Sequence, residues 1–185
     1  MSNTALIVID VQDSFRRMPF WSDADLPGFA ERLQTLTDGA RARAIPIVQI
    51  FHVRENSPFA LDSGHVVTLA PIVIQPDVTF YKHKHSALVG TGLDKWLTQH
   101  GIRRLIISGI RTEQCCETTT RHASDLGFTV DYVTEATMTF PMTDLSGTVH
   151  SPAAIKAHTE MVLTGRFARI ASVEEALAMA DAGIG

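Results

Sequence analysis

Apolar and polar positions along this chain switch between two rhythms. Ala5-Leu6-Ile7-Val8-Ile9 is an unbroken aliphatic run closed by Asp10. A strand with one solvated face would alternate, so this run predicts a strand buried on both faces, the habit of a parallel sheet. Pro46–Phe51, Val78–Tyr81, Arg104–Gly109 and Phe128–Val133 read as further strands, the first entered through a proline that suits an opening position. Between them the apolar spacing lengthens. Phe29, Leu33, Leu36 and Ala40 form a helical stripe within Pro27–Arg43, and Leu93, Trp96 and Leu97 form another within Gly92–His100. Gly101 is placed to cap that helix, and Gly127 closes a helix predicted over Glu113–Leu126. Ser151-Pro152 sets an N-cap before a first-turn proline, and Ser172-Val173-Glu174-Glu175 has the spacing of a capping box. Phe167–Ile170 adds a last short strand. Strands alternating with helices predict an α/β fold: three layers, with a doubly wound, mostly parallel sheet between helices on both faces. Residues 54–76 carry no clear period and are expected to run over the site or into an oligomer contact.

Composition narrows the setting. The 185 residues carry 16 Lys+Arg against 20 Asp+Glu, a net charge of −4, with 45% hydrophobic residues. One domain over residues 1–185 is expected, with core enough to fold unaided. The absence of a basic excess argues against a nucleic-acid partner, and no apolar run reaches the ~18 residues of a membrane helix. The first residues, Met1–Ile7, read without a basic n-region or cleavage site, so no signal peptide is expected, and two adjacent cysteines make no disulfide framework. The expectation is a cytoplasmic enzyme, a homo-oligomer acting on a small molecule, with no nucleic-acid or membrane partner.

Ligands of open parallel sheets bind beyond the carboxyl ends of the strands. Asp10 follows the first strand, His52 and Arg54 the second, Lys82 the third, and Cys115 lies just past Gly109-Ile110-Arg111-Thr112. An acid, an amine and a thiol meeting at one sheet edge would make a nucleophilic site. A thiol near its free pKa of about 8.5 needs activation; a helix N-terminus favours thiolate, and a carboxylate can take its proton. Taken singly, each residue has a plainer reading: core packing for the thiol, a turn or cap for Asp10, a solvated loop charge for Lys82.

Three segments taken together carry a resemblance. The order Asp10-Val11-Gln12…Phe15, Lys82…Ser86-Ala87 and Gly109-Ile110-Arg111-Thr112-Glu113-Gln114-Cys115 resembles the isochorismatase-like cysteine hydrolases. The likeness continues through Thr119, Ala123, Gly127, Glu135-Ala136 and Phe167–Ile170. It implies a catalytic triad of Asp10, Lys82 and Cys115, Lys82 being preferred to Lys84 because it lies four residues before Ser86. It also implies a non-proline cis peptide at Ile110–Arg111, which would aim the Arg111 N–H, with that of Cys115, into an oxyanion hole. The implied chemistry is hydrolysis of a small amide or ureido C–N bond through a Cys115 thioester, without a cofactor. Vinyl-ether hydrolysis, a catalytically silent binding domain and a thiol redox sensor are the alternatives.

Substrate-side expectations follow. The nicotinamidase branch holds a metal through an Asp-x-His element, but Ile50 stands two positions before His52. No metal site is therefore expected, although His65, His83 and His85 leave a histidine-only site as the alternative. Phe15, Phe20 and Trp21 are candidates to wall an apolar pocket beside Asp10, and His52 to hydrogen-bond substrate. Arg111 is a candidate to pair with a substrate carboxylate, or else turns away into a salt bridge. Cys116 is assigned to the core.

Overall fold

The computed structural model describes residues 2–181, so the ends of the expected domain at residues 1 and 185 lie outside the described residues. Six parallel strands form the sheet: β1 (Thr4–Ile9), β2 (Ile47–His52), β3 (Val78–Lys82), β4 (Arg104–Ile110), β5 (Thr129–Met138) and a short β8 (Arg169–Ile170). The spatial order is β3-β2-β1-β4-β5-β8. A two-residue antiparallel pair, β6 (Met142–Thr143) and β7 (Val149–His150), stands apart from the sheet. Helices α1 (Leu26–Ala42), α2 (Leu93–Gln99), α3 (Glu117–Asp125), α4 (Pro152–Leu163) and α5 (Val173–Asp181) complete the layers. Among the described residues no helix is long and apolar enough to cross a membrane.

The aliphatic run in β1 is accounted for by two cores. Leu6 and Val8 pack with α1 residues Phe29, Leu33 and Leu36, and with Val173 and Leu177 of α5. Ala5, Ile7 and Ile9 point the other way, toward Leu93 and Leu97 of α2 and Ala123 of α3. From Ala5 to Ile9 each successive side chain thus meets apolar partners, so the run needs no polar alternation. The predicted caps form. Ser151 Oγ accepts from the Ala154 N–H at 3.2 Å. At Ser172 the box is reciprocal: its N–H donates to Glu175 Oε2 at 2.9 Å and its Oγ accepts from Glu175 N–H at 3.1 Å.

Two predicted elements differ in detail. The helix expected from Glu113 opens instead with a wide π-type turn, Thr112–Cys116, and α3 proper starts at Glu117. The Tyr132 hydroxyl donates to the Thr112 carbonyl at 2.7 Å, holding that turn to the sheet. β5 runs to Met138, well past its predicted end, and its register with β4 shifts between Ile107 and Gly109.

The chain winds outward through β1, β2 and β3, then returns to the far side of β1 for β4. The order reverses between β1 and β4, and a crevice opens there at their carboxyl ends. Residues 54–76 lie across it. The Asp13 and Ser14 N–H groups donate to the Val67 and His65 carbonyls, and Leu69 N–H donates to the Val11 carbonyl.

Candidate active site

Three sheet ends bring their reactive side chains to one point. Asp10 leaves β1 in the left-handed backbone region, φ 53°, which Asp tolerates better than most residues. Gly109, φ 124°, lets β4 close on β1; a Cβ there would overlap the Ile9 backbone. The cis peptide is present at Ile110–Arg111. Lys82 ends β3, and its side chain passes the end of β2 to reach the crevice. The Lys82 loop is docked onto α3 by Ser86 Oγ at 2.9 Å from His122 Nδ1 and by the Ala87 N–H donating to Thr119 Oγ1 at 3.0 Å.

Lys82 Nζ lies 2.8 Å from Asp10 Oδ2 and 3.3 Å from Cys115 Sγ, with Lys82 0% and Asp10 1% exposed. It also approaches His52 Nδ1 at 3.2 Å and the Lys84 carbonyl at 3.1 Å. An ammonium has three protons for these four acceptors, so the sulfur holds the longest and weakest share. Lys84 therefore supplies a backbone acceptor, and Lys82 is the lysine that meets the acid and the thiol. Asp10 Oδ1 is buried without a hydrogen-bond partner.

Burial raises the Asp10 carboxyl from its ordinary value despite the opposing pull of Lys82. Burial alone would lower Lys82, but the charge of Asp10 and the neighbouring Cys115 outweigh it, and the ammonium is retained. Burial and the Asp10 charge push the Cys115 thiol up to about 12, against the pull of Lys82. The expected thiolate is corrected here: a desolvated sulfur beside a carboxylate rests as the neutral thiol. His52 is held down to about 4 by burial and the Lys82 charge. It stays a neutral ring, and its Nδ1 accepts from Lys82.

A small cavity of about 140 Å³ opens onto Cys115 and Asp10. Phe15, Met18, His52, Arg54, Phe59, His85 and Gln114 complete its lining. Phe15 and His52 are thus where the sequence put them. Gln12 explains the position of His52: its Oε1 accepts from the His52 N–H at 2.8 Å and its Nε2 donates to the His52 carbonyl at 3.2 Å. Met18, Phe59, His85 and Gln114 were not foreseen as lining. Phe59 comes from the aperiodic 54–76 stretch and meets Phe15 edge-on at 5.1 Å, a contact no local pattern announces.

Three expected substrate contacts are corrected. Arg111 turns away from the cavity. Its guanidinium pairs with Glu113 at 3.0 Å and lies over the rings of Phe20, at 5.0 Å, and Phe140, at 5.7 Å. Trp21 packs on Phe140 at 5.4 Å, with its Nε1–H donating to Asp23 at 3.2 Å. Phe20 joins the same cluster at 5.1 Å from Phe140. Buried Phe140, two residues past the end of β5, draws these groups into packing. Among the described residues no set of three His, Cys, Asp or Glu side chains converges to hold a metal ion. His65 pairs with Asp13 at 3.0 Å, and Cys116 is buried in the core.

A parallel α/β scaffold with a thiol, a carboxylate and an ammonium packed at its switch point defines a class of hydrolytic enzyme. The isochorismatase-domain family model matches residues 4–175, and the chain belongs to that family of hydrolases. Among relatives, Nicotinamidase 3 of Arabidopsis thaliana is 31% identical over 155 residues, covering 74% of this chain and 73% of its own. Streptothricin hydrolase of Streptomyces noursei is 30% identical over 162 residues, covering 83% of this chain and 56% of its own. A solved putative isochorismatase from Burkholderia xenovorans superposes with a TM-score of 0.88 at 31% identity, over 100% of this chain and 90% of that one.

Proposed function

We propose that the chain hydrolyses the C–N bond of a small amide or ureido compound through a thioester on Cys115. The observation that carries this reading is Asp10, whose Oδ2 is held by Lys82 at 2.8 Å while its buried Oδ1 has no partner. The unoccupied oxygen is the base. It takes the Cys115 proton as the sulfur attacks the substrate carbonyl carbon, which avoids a free thiolate at rest. The backbone N–H groups of Arg111 and Cys115 receive the oxyanion. As the C–N bond breaks, Asp10 returns the proton to the departing ammonia or amine. Water then attacks the thioester carbonyl, giving one proton to Asp10, and the carboxylic acid departs as that proton returns to sulfur. Lys82 stays protonated throughout and offsets the negative charge that moves between Asp10 and the sulfur.

The name of Nicotinamidase 3 supports an amide substrate, and the 140 Å³ cavity supports a small one, since drug-sized ligands occupy roughly 300–1,000 Å³. A panel of primary amides and ureido compounds, followed by ammonia release, tests the reading. At least one member is turned over by the native enzyme and none by Cys115→Ala. Equal release by both proteins would overturn it.

A further inference from the structure

The cavity over Cys115 has one acidic group, Asp10, and Lys82 already occupies it. Its other permanent charge is Arg54, which leaves the end of β2 two residues past His52. The Arg54 guanidinium lies 6.0 Å from the centroid of the Phe59 ring. Among the described residues it has no carboxylate partner. The neighbouring acid, Glu55, lines a different cavity with Asp62. Arg54 is exposed, whereas Phe15 and Phe59 beside it are buried. The backbone that presents it is fixed: Arg54 N–H donates to the Phe59 carbonyl at 3.1 Å, and Ser57 Oγ donates to the Arg54 carbonyl at 2.8 Å.

From this arrangement we infer that the substrate carries a carboxylate, bound by Arg54, a few bonds from the carbonyl that Cys115 attacks. The inference rests on the amide-hydrolase reading and specifies its substrate class. The chemistry fits at each end of the cavity. A planar guanidinium with its donors unspent matches a carboxylate, and the aromatic face of Phe59 beneath it limits its orientations. Between them the cavity, about 140 Å³, is lined by Phe15, Met18 and Phe59, which suits a small acid. Asp10 and Lys82 offset each other and His52 is neutral, which leaves Arg54 as the unpaired fixed charge of the lining. The carboxylate-binding role that the sequence offered to Arg111 thus falls to Arg54, because Glu113 has taken the Arg111 guanidinium.

The test uses succinamate and its neutral counterpart succinamide. Binding to Cys115→Ala, measured by ligand-observed NMR, needs no turnover. Succinamate is expected to bind at least about tenfold more tightly, as a charge-assisted contact allows. Arg54→Gln in that background abolishes the difference, and Arg54→Lys restores part of it. Equal binding of the two probes, an acid preference that survives Arg54→Gln, or no binding of either overturns the assignment. Failure here is distinguishable from failure of the hydrolase reading: a thioester trapped on native Cys115 from neutral amides alone removes the carboxylate requirement and leaves the nucleophile in place.

Discussion

The two ends of the sheet each bury a carboxylate beside basic side chains, and the two sites are finished differently. At the amino end, Asp131 of β5 accepts from Arg104 through Oδ2 at 3.0 Å and from Arg169 through Oδ1 at 2.8 Å. Both oxygens are used, and the two arginines tie β4 and β8 to β5. At the carboxyl end, Asp10 receives Lys82 on one oxygen, and its other oxygen is buried with no hydrogen-bond partner of ordinary geometry. A completed pair can only hold; an uncompleted one can accept a proton. Two buried carboxylates with basic neighbours thus differ in the lone pairs left unused, which fits Asp131 as a structural clasp and Asp10 as the base proposed above.

Exchange of each aspartate for asparagine sharpens the contrast most. Asp10→Asn is expected to lower kcat/KM by about 10²–10⁴-fold, the usual contribution of a positioned general base. Asp131→Asn is expected to leave kcat/KM of the folded enzyme within about twofold. Thermal denaturation reads the reverse property: Asp131→Asn breaks a buried ionic cluster and costs about 3–5 kcal/mol. A variant at Asp131 that lost activity while keeping its melting temperature would dissolve the distinction.

The acid limb of the activity profile comes next. Asp10 must be ionised to take the thiol proton, so activity falls as pH drops through its pKa. Burial raises that pKa, and the limb is expected above the ordinary carboxylate value of about 4, unmoved by Asp131→Asn. A limb at or below the ordinary value contradicts the desolvated setting. Alkylation of free enzyme by iodoacetamide reads the thiol itself. With Cys115 near 12, the rate climbs without a plateau through pH 8–10, whereas a plateau near 8.5 means an ordinary exposed thiol. The smallest effect belongs to Trp21→Ala, which is expected to change kcat/KM by less than about threefold because the indole packs on Phe140 outside the cavity.

What the sequence disclosed and what it withheld divide along a physical line. Asp10, Lys82 and Cys115 each stand at or just beyond the carboxyl end of a strand, and a parallel sheet gathers the ends of its strands, so their convergence was legible from position. The buried runs and the caps at Ser151 and Ser172 were legible because each depends on a few neighbouring residues. The direction of Arg111 was not, since it is decided by Glu113 together with Phe20 and Phe140, which meet only in the folded chain. The same is true of Phe59, brought from an aperiodic stretch to within 5.1 Å of Phe15. The sign of the Cys115 shift also escaped, because desolvation depends on burial and helix-end potential alone points the other way.

The most direct test of the central claim is mass spectrometry of enzyme quenched during turnover of an amide found by ammonia release. The native enzyme is expected to show an adduct equal to the acyl group on the peptide containing Cys115, and Cys115→Ala neither adduct nor ammonia. Full ammonia release with no adduct on Cys115, and undiminished turnover in Cys115→Ala, would contradict it.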